Sequence, residues 1–477
     1  MPADCLYAEP KAPLTWDAHL QVLREVIALH AGRPTPPAAS LQARRLLLDT
    51  LGCALAGRRA DEVQQLETGF SRLDPGAFCF PEGKGMAMHG ATQVLAMAAT
   101  WDEACEGHAL AHGRPGVPLV AALLPLGLQL GASLGAFTDA FVLGYEIGAR
   151  AGAWLRIRSG MHVDANWPAL GVAAGVARLM GLPAPGIMQA VNIAACQLPT
   201  SLYLPVVAGR TARNTYLAHS ALLGLQAAFA SAAGVDAPHD ALAHYASTYA
   251  TAAPQPLPAP MTMLLLDAYF KPFAAVRHVH YGAVAALRIR EQLHSGTQDI
   301  RSIVLTVYEE ATVYCGNRAP LTPIQAQFSL SFGVAAMLRF GNIDPPVYAA
   351  AHFNDPELRR LEALVVLQAD PDLTMRGQRG ATLLVQSESG LLQESVDSIA
   401  GDASHPLDRA ALCEKFQRYA AHSVSSGHAM EFCTALLDSH PDIELHLLWQ
   451  QLLPSPSPAD LASVPFKTLK ASTAAHP

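Results

Sequence analysis

With 477 residues, 51% of them hydrophobic and only 15% charged, the chain is too long for one core and too apolar for disorder; two or three deeply buried domains in an oligomer are expected. A formal net charge of −8 with no Lys/Arg block argues against nucleic acid as a partner, and it means that an anionic ligand needs a local basic pocket, because the overall field repels it. Eight scattered cysteines without a C-x-x-C pair argue against a disulfide framework or a zinc knuckle and fit a reducing cytoplasm.

The opening MPADCLYAEPKAP carries acids and prolines where a signal peptide has a basic region and an apolar stretch, so none is expected. From Leu14 to about Asp267 the pattern is helical. SLQARRLLLDTLGCALAG puts Leu41, Ala43, Leu46, Leu47, Leu51 and Leu55 on one apolar face and stops at Gly57, where a left-handed C-terminal residue is easy. Gly116 to Phe137 has no charge at all and approaches membrane-spanning length. Its glycines, Pro125 and polar flanks predict a buried core helix and no membrane partner. DAFVLGYEIGARAGAWL and PALGVAAGVARLMGL continue the series, with Ala and Gly frequent enough for close helix approach. APQPLPAP, Ala253 to Pro260, ends it.

Beyond that break the texture changes. IRSIVLTVYEEATVY alternates with period two, ALVVLQADP is a short apolar run, and RGATLLVQSESGLLQESVD predicts a hairpin turning at Ser389-Gly390. A helical stretch, IQAQFSLSFGVAAMLRFG, lies between them. After Pro406 helices return. The reading is mainly α: a helical domain over 1–268, a smaller α+β domain over 269–405, C-terminal helices completing the first domain over 406–455, and a disordered tail over 456–477.

Chemistry-bearing residues cluster in five places. WDEACEGHALAHGRPGVP, Trp101 to Pro118, crowds Asp102, Glu103, Glu106, His108 and His112 between apolar stretches, where partial desolvation moves pKa values toward the range of proton transfer. His108 and His112 share a face if the segment is helical; a zinc site would need a third ligand from Asp102, Cys105 or Glu106, and proton transfer or substrate binding is the preferred reading, with no metal. His162 follows Arg156 and Arg158 and precedes a helix opened near Asn166-Trp167-Pro168, a setting that favours a carboxylate. Arg213 lies in or near the first turn of a helix, where a cation gains nothing from the helix dipole, so a bound anion is a reason for its presence. KPFAAVRHVHYGAVAAL supplies Lys271, Arg277, His278 and His280, and Tyr314 can act as a weak acid or hydrogen-bond donor. For each of these, packing alone is the competing reading. Together, acid, imidazoles, tyrosine and cations on separate segments are what proton abstraction beside a carboxylate requires.

In order and texture these motifs resemble the MmgE/PrpD family, which includes 2-methylcitrate dehydratase, cis-aconitate decarboxylase and iminodisuccinate epimerase. LLLDTLGCALAG is similar to the family's amino-terminal helix signature, AFVLGYEIGARAGA to its GYE helix, PALGVAAGVARLMGLPAPGIMQAVNIAA to its small-residue helix pair, and PLTPIQAQFSLSFGVAAML to its lid-domain helix. The likeness runs from about Leu41 to about Asp372. It implies a large all-helical domain with an α+β lid, a homodimer, a cleft that needs no cofactor, and a small anionic carboxylate as substrate. By resemblance Asp102 is the active-site acid, His112 its following histidine, His162 the histidine before the helix pair, Tyr314 a lid tyrosine, and His280 the histidine that follows Lys271. The chain departs from the pattern at Ala98 and Ala99, where relatives carry a histidine, at Glu103 and Ala104, which replace a pair of aspartates, and at Arg213, which stands for a lysine. The earlier lid imidazole falls near Val276, with His278 beside it as a substitute. Asp102, His112, His162, Tyr314 and His280 are thus the expected catalytic residues, and Arg213, Lys271, His108, Arg277 and His278 the expected substrate-binding ones. The rival expectation is a lapsed member that binds a carboxylate or a protein partner through the same cleft.

Overall fold

The computed structural model describes residues 15–156, 158–249, 255–293 and 296–453, so the amino-terminal segment and the tail expected over 456–477 lie outside the described residues. Helices come first: α1 (Trp16–His30), α2 (Pro37–Gly57), α3 (Asp61–Leu73), α4 (Met88–Thr100), α5 (Gly116–Leu130), α6 (Leu134–Trp154), α7 (Pro168–Leu179), α8 (Ala184–Ala195), α9 (Leu204–Val207), α10 (Tyr216–Ala232) and α11 (Ala241–Tyr249). Three two-residue strands are interleaved with them, β1 (Gly107–His108), β2 (Met161–His162) and β3 (Ser201–Leu202).

Three expectations about these helices need correction. The uncharged run from Gly116 is two helices, because Gly131 takes φ +65° and ends α5, and Ser133 Oγ then caps α6 by accepting from the Ala136 amide at 3.1 Å. Among the described residues no helix is long and apolar enough to cross a membrane. Leu41 is 38% exposed, outside the apolar face of α2, whereas Ala43, Leu46, Leu47, Leu51 and Leu55 are buried. Gly57 is helical, not left-handed; a side chain there would run into the Ala98 carbonyl of α4, so it is needed for helix approach.

A second such approach joins α6 to α7. A Cβ on Gly171 would stand 2.5 Å from the Gly144 carbonyl oxygen and 3.0 Å from the Gly148 Cα, both backbone atoms that cannot swing aside. Gly171→Ala is therefore expected to lose about 1–3 kcal/mol in urea denaturation, the usual cost of overpacking. An unchanged midpoint would show that these helices separate freely.

The second part begins with β4 (Ala268–Tyr269), which pairs back on β1 in the register Gly107↔Tyr269 and His108↔Ala268, and continues into α12 (Arg277–Gln292) and β5 (Ile300–Val307). Then come α13 (Glu309–Cys315), α14 (Pro323–Gln327), α15 (Leu330–Phe340), α16 (Ala350–Phe353), α17 (Pro356–Leu364), β6 (Val365–Ala369), α18 (Pro371–Met375), β7 (Ala381–Ser387) and β8 (Gly390–Val396). The sheet order is β6-β5-β7-β8, with β5 parallel to β6 and the rest antiparallel. Ile303, Leu305 and Val307 alternate inward from β5, and Leu305 packs on Gly282 of α12. The period-two run ends at Val307, because Glu309 and Glu310 start a helix at whose positive end they are favourable. The expected single lid helix is interrupted at Phe328-Ser329, where Ser329 Oγ caps α15 through the Phe332 amide.

Three final helices, α19 (Arg409–Ala420), α20 (Ser426–Asp438) and α21 (Leu445–Gln450), return to the first part. Lys415 of α19 pairs with Asp49 of α2 at 2.5 Å and donates to the Ala104 carbonyl at 2.8 Å, all three groups buried. That contact ties the C-terminal helices to the loop carrying Asp102 and Glu103.

Candidate active site

Between α4 and α5 the chain runs Trp101 to Pro115 without a helix, and two of its non-glycine residues, Glu103 and His112, take φ +53° and +54°. Left-handed backbone at such residues costs on the order of 1–3 kcal/mol and persists only where surrounding contacts fix it. Glu103 has those contacts. Its Oε2 accepts from Arg114 at 2.9 Å and from Arg213 at 2.5 Å, its Oε1 accepts from Lys271 at 2.6 Å, and Lys271 also donates to the Glu103 carbonyl at 3.0 Å. Arg114 turns its other nitrogen to Asp164. All five side chains are buried, so three cations face two carboxylates with one positive charge in excess. Burial alone would raise the Glu103 carboxyl, but Arg114, Lys271 and Arg213 outweigh it and hold it well below the ordinary range.

Next to this cluster an unbroken run of rings crosses from the helical part to the lid. His162, on β2, stacks on Tyr203 at 5.7 Å and meets Tyr216 edge-on; Tyr203 meets Tyr314 edge-on at 5.8 Å; Tyr314 stacks on His278 at 6.0 Å. The His278 Nδ1 lies 2.5 Å from the Tyr308 hydroxyl. Burial drives His162 down to about 4, against the pull of Asp164 and with Arg213 and Arg114 adding to it. His278 is driven down to about 3, by burial and then by Arg379, Arg277 and Lys271. Both imidazoles are neutral at physiological pH.

His112 projects from the same loop with solvent access, yet the walls around it together with Arg156 and Arg379 lower it to about 4. Arg277 stacks over Tyr269 at 4.3 Å and pairs with Asp402, and its Nε and Nη1 are buried without a partner among the described residues, as is Nε of Arg213. Of the residues singled out from sequence, His162, Arg213, Lys271, Arg277, His278 and Tyr314 thus gather with His112 in one region.

Asp102, His108 and His280 do not join that gathering. Asp102 pairs with Arg59 at 2.8 Å, and burial raises its pKa against that arginine. The loop is not helical at His108 and His112, so the two do not share a face: His108 is fixed by the Leu264 carbonyl at 3.0 Å and by the Ala111 amide. His278 and His280 sit on α12, where a two-residue step turns them apart; His280 is fully buried, its Nε2 2.9 Å from the Ala275 carbonyl. Arg213 occupies a short 3-10 turn, Thr211–Thr215, and is 1% exposed.

Sequence reasoning did not single out Arg114, Asp164, Tyr203 and Tyr308, and it noted Glu103 without giving it a part. The signal available was small: Arg114 and Asp164 are lone charges beside a predicted helix start and a flagged histidine. Glu106 is a further buried acid, its Oε1 accepting from the Gly116 amide at 2.7 Å and Tyr145 lying 3.3 Å from its Oε2. Burial pushes it up to about 8. A raised carboxyl is protonated in the folded protein while the unfolded one ionises near 4.5, so stability falls as pH rises from about 4.5 to about 8. Glu106→Gln keeps the contacts without the charge; it is expected to gain on the order of 2–3 kcal/mol at pH 7 and to flatten that slope in pH-dependent denaturation.

Two cavities, of about 300 Å³ beside Arg290 and Arg339 and about 330 Å³ beside Arg58, Arg59 and Lys84, lie away from the ring run. Among the described residues no three His, Cys, Asp or Glu side chains are grouped to hold a metal ion. No curated protein matches the chain. Two family models do: the MmgE/PrpD N-terminal domain over residues 22–259 and the MmgE/PrpD C-terminal domain over residues 273–437, the latter reaching beyond Asp372, where the sequence motifs faded.

Proposed function

Because the chain belongs to the MmgE/PrpD family, whose members carry dehydratase and other lyase-type activities, we propose that it is a cofactor-independent lyase or isomerase acting on a small di- or tricarboxylate. The reaction starts with loss of the proton α to a carboxylate. The observation that carries this reading is the buried surplus of cations beside neutral imidazoles: Arg114, Arg213 and Lys271 around Glu103, with unused guanidinium donors on Arg213 and Arg277. In a chain of net charge −8, such a local concentration of positive charge is what an anionic substrate needs.

In this reading the cations bind the substrate carboxylates and delocalise the charge that appears when the C–H bond breaks. Arg213 stays charged at any working pH and grips a carboxylate in two-point fashion, so it serves in binding and not in proton donation. His112 takes the proton, His162 faces the charge that develops, and Tyr314 and His278 close the site from the lid. The buried acids of the cluster are Glu103 and Asp164, while Asp102 pairs outside it with Arg59. A homodimer is part of the proposal.

Citrate-like acids incubated with the protein in deuterated water and followed by NMR test it. Deuterium entry at the α-carbon alone identifies an epimerase, loss of water a dehydratase, and release of carbon dioxide a decarboxylase. If no acid of the panel exchanges or reacts, the enzyme reading fails.

A further inference from the structure

The hydrogen-bond partners of His162 and His278 decide which of their nitrogens carries the proton. His162 Nδ1 lies 3.2 Å from the backbone nitrogen of Asp164, whose N–H can only donate, so Nδ1 must be the accepting nitrogen. For His278 the partner is a phenol, which could act either way. Among the described residues, however, the Tyr308 hydroxyl has His278 Nδ1 as its one hydrogen-bond partner, at 2.5 Å, and Tyr308 is only 4% exposed. If Nδ1–H donated to the phenol, the phenolic hydrogen would be buried without an acceptor, at a cost of about 1–3 kcal/mol. The phenol therefore donates, and Nδ1 of His278 accepts as well.

We propose that His162 and His278 are both held as Nε2–H tautomers and serve as hydrogen-bond donors to the substrate anion from the two sides of the cleft, with Tyr308 as the residue that positions His278. This rests on the lyase or isomerase reading. Several features agree with it. Nε2 of each ring has no hydrogen-bond partner among the described residues, and neither atom is sealed in the core. Each ring is fixed by stacking, His162 between Tyr203 and Tyr216, His278 against Tyr314 and Tyr308. His278 is also in the first turn of α12, where the helix end disfavours a positive ring and favours a neutral donor.

The assignment divides the labour. A ring that holds Nε2–H has no lone pair to offer at that atom, so neither His162 nor His278 accepts the substrate proton in this state. The His112 side chain makes no hydrogen bond among the described residues and is exposed, and so its ring retains a free lone pair. In the proposed step the α C–H bond breaks and its proton forms an N–H bond on His112. The electron pair moves into the adjoining carboxylate as an enediolate, which receives hydrogen bonds from the two Nε2–H groups. The proton then returns to carbon in epimerisation or leaves with the departing hydroxyl in dehydration.

Long-range proton–nitrogen NMR of the full-length protein with ¹⁵N-labelled histidine reads the tautomers directly, each ring identified by the signal lost in His162→Gln or His278→Gln. The expected result is a pyridine-type nitrogen at Nδ1 and a pyrrole-type nitrogen at Nε2 for both. In Tyr308→Phe the His278 pattern should move toward the tautomer mixture of free imidazole while His162 is unchanged, and the affinity for tricarballylate should fall about tenfold. A pyridine-type Nε2 on either ring of the unaltered protein overturns the proposal, as does a Tyr308→Phe variant whose His278 pattern stays put. Should Tyr308→Phe fail to fold, the tautomers of the unaltered protein still decide. The reading needs no turnover, so a failed activity assay would strike the lyase hypothesis and leave this assignment to stand or fall separately.

Discussion

Glu103→Ala is expected to destabilise the protein by about 3–5 kcal/mol and to abolish turnover, the range found when one partner of a buried ion network is removed. The reason lies in what the substitution leaves behind. Arg114, Arg213 and Lys271 each spend a nitrogen on the Glu103 carboxylate, and all three are at most 5% exposed. Among the described residues Arg114 retains Asp164, Arg213 retains the Thr100 carbonyl and Asn214, and Lys271 retains only the Glu103 carbonyl. Lys271 is therefore the cation most exposed to the loss. The effect also has a sign in pH. Because the folded carboxyl titrates well below the unfolded value near 4.5, its contribution is complete above about pH 4.5 and is lost as pH falls through the folded value. Urea denaturation of parent and variant should thus differ most at neutral pH and converge in acid. Equal stabilities at pH 7 would mean that water or counter-ions already screen these cations.

His162→Phe should lower kcat on the order of 10²–10³-fold with little change in KM, the effect of removing one donor that acts on charge developing in the transition state. Phenylalanine keeps the stack on Tyr203 and the edge contact with Tyr216, so the fold is preserved and the loss is chemical. The unpaired Asp164 amide adds a small stability cost, visible as a lowered Tm. If KM rises while kcat holds, His162 contributes to binding in the ground state and not to the chemical step.

How legible this was in the sequence depended on the range over which the causes act. Helices written by apolar spacing and small residues could be read directly, because period and packing are local: α2, α6 and α7 fall where their patterns place them, and the hairpin of β7 and β8 turns next to Ser389. Errors came where one residue redirects the chain. Gly131 with Ser133 split an uncharged run that composition alone joins, and two glutamates after Val307 stop a strand that period two would continue. At the site, Arg213, Lys271 and His162 stood out as charges and imidazoles in apolar surroundings. What the sequence could not supply was which carboxylate they meet. Asp102 and Glu103 are neighbours, and the left-handed backbone at Glu103 turns one toward Arg114, Arg213 and Lys271 while the other reaches Arg59. Nor could spacing say that His280, two residues from His278, is used up in the core, since that depends on the helix already being in place.

A crystal structure with bound tricarballylate tests most directly the carboxylate site proposed between the helical part and the lid. The prediction is a ligand whose carboxylates contact Arg213 and Lys271 and lie within hydrogen-bond distance of the Nε2 atoms of His162 or His278. A ligand found instead in the cavity beside Arg58, Arg59 and Lys84, with the cleft cations unchanged, would contradict it.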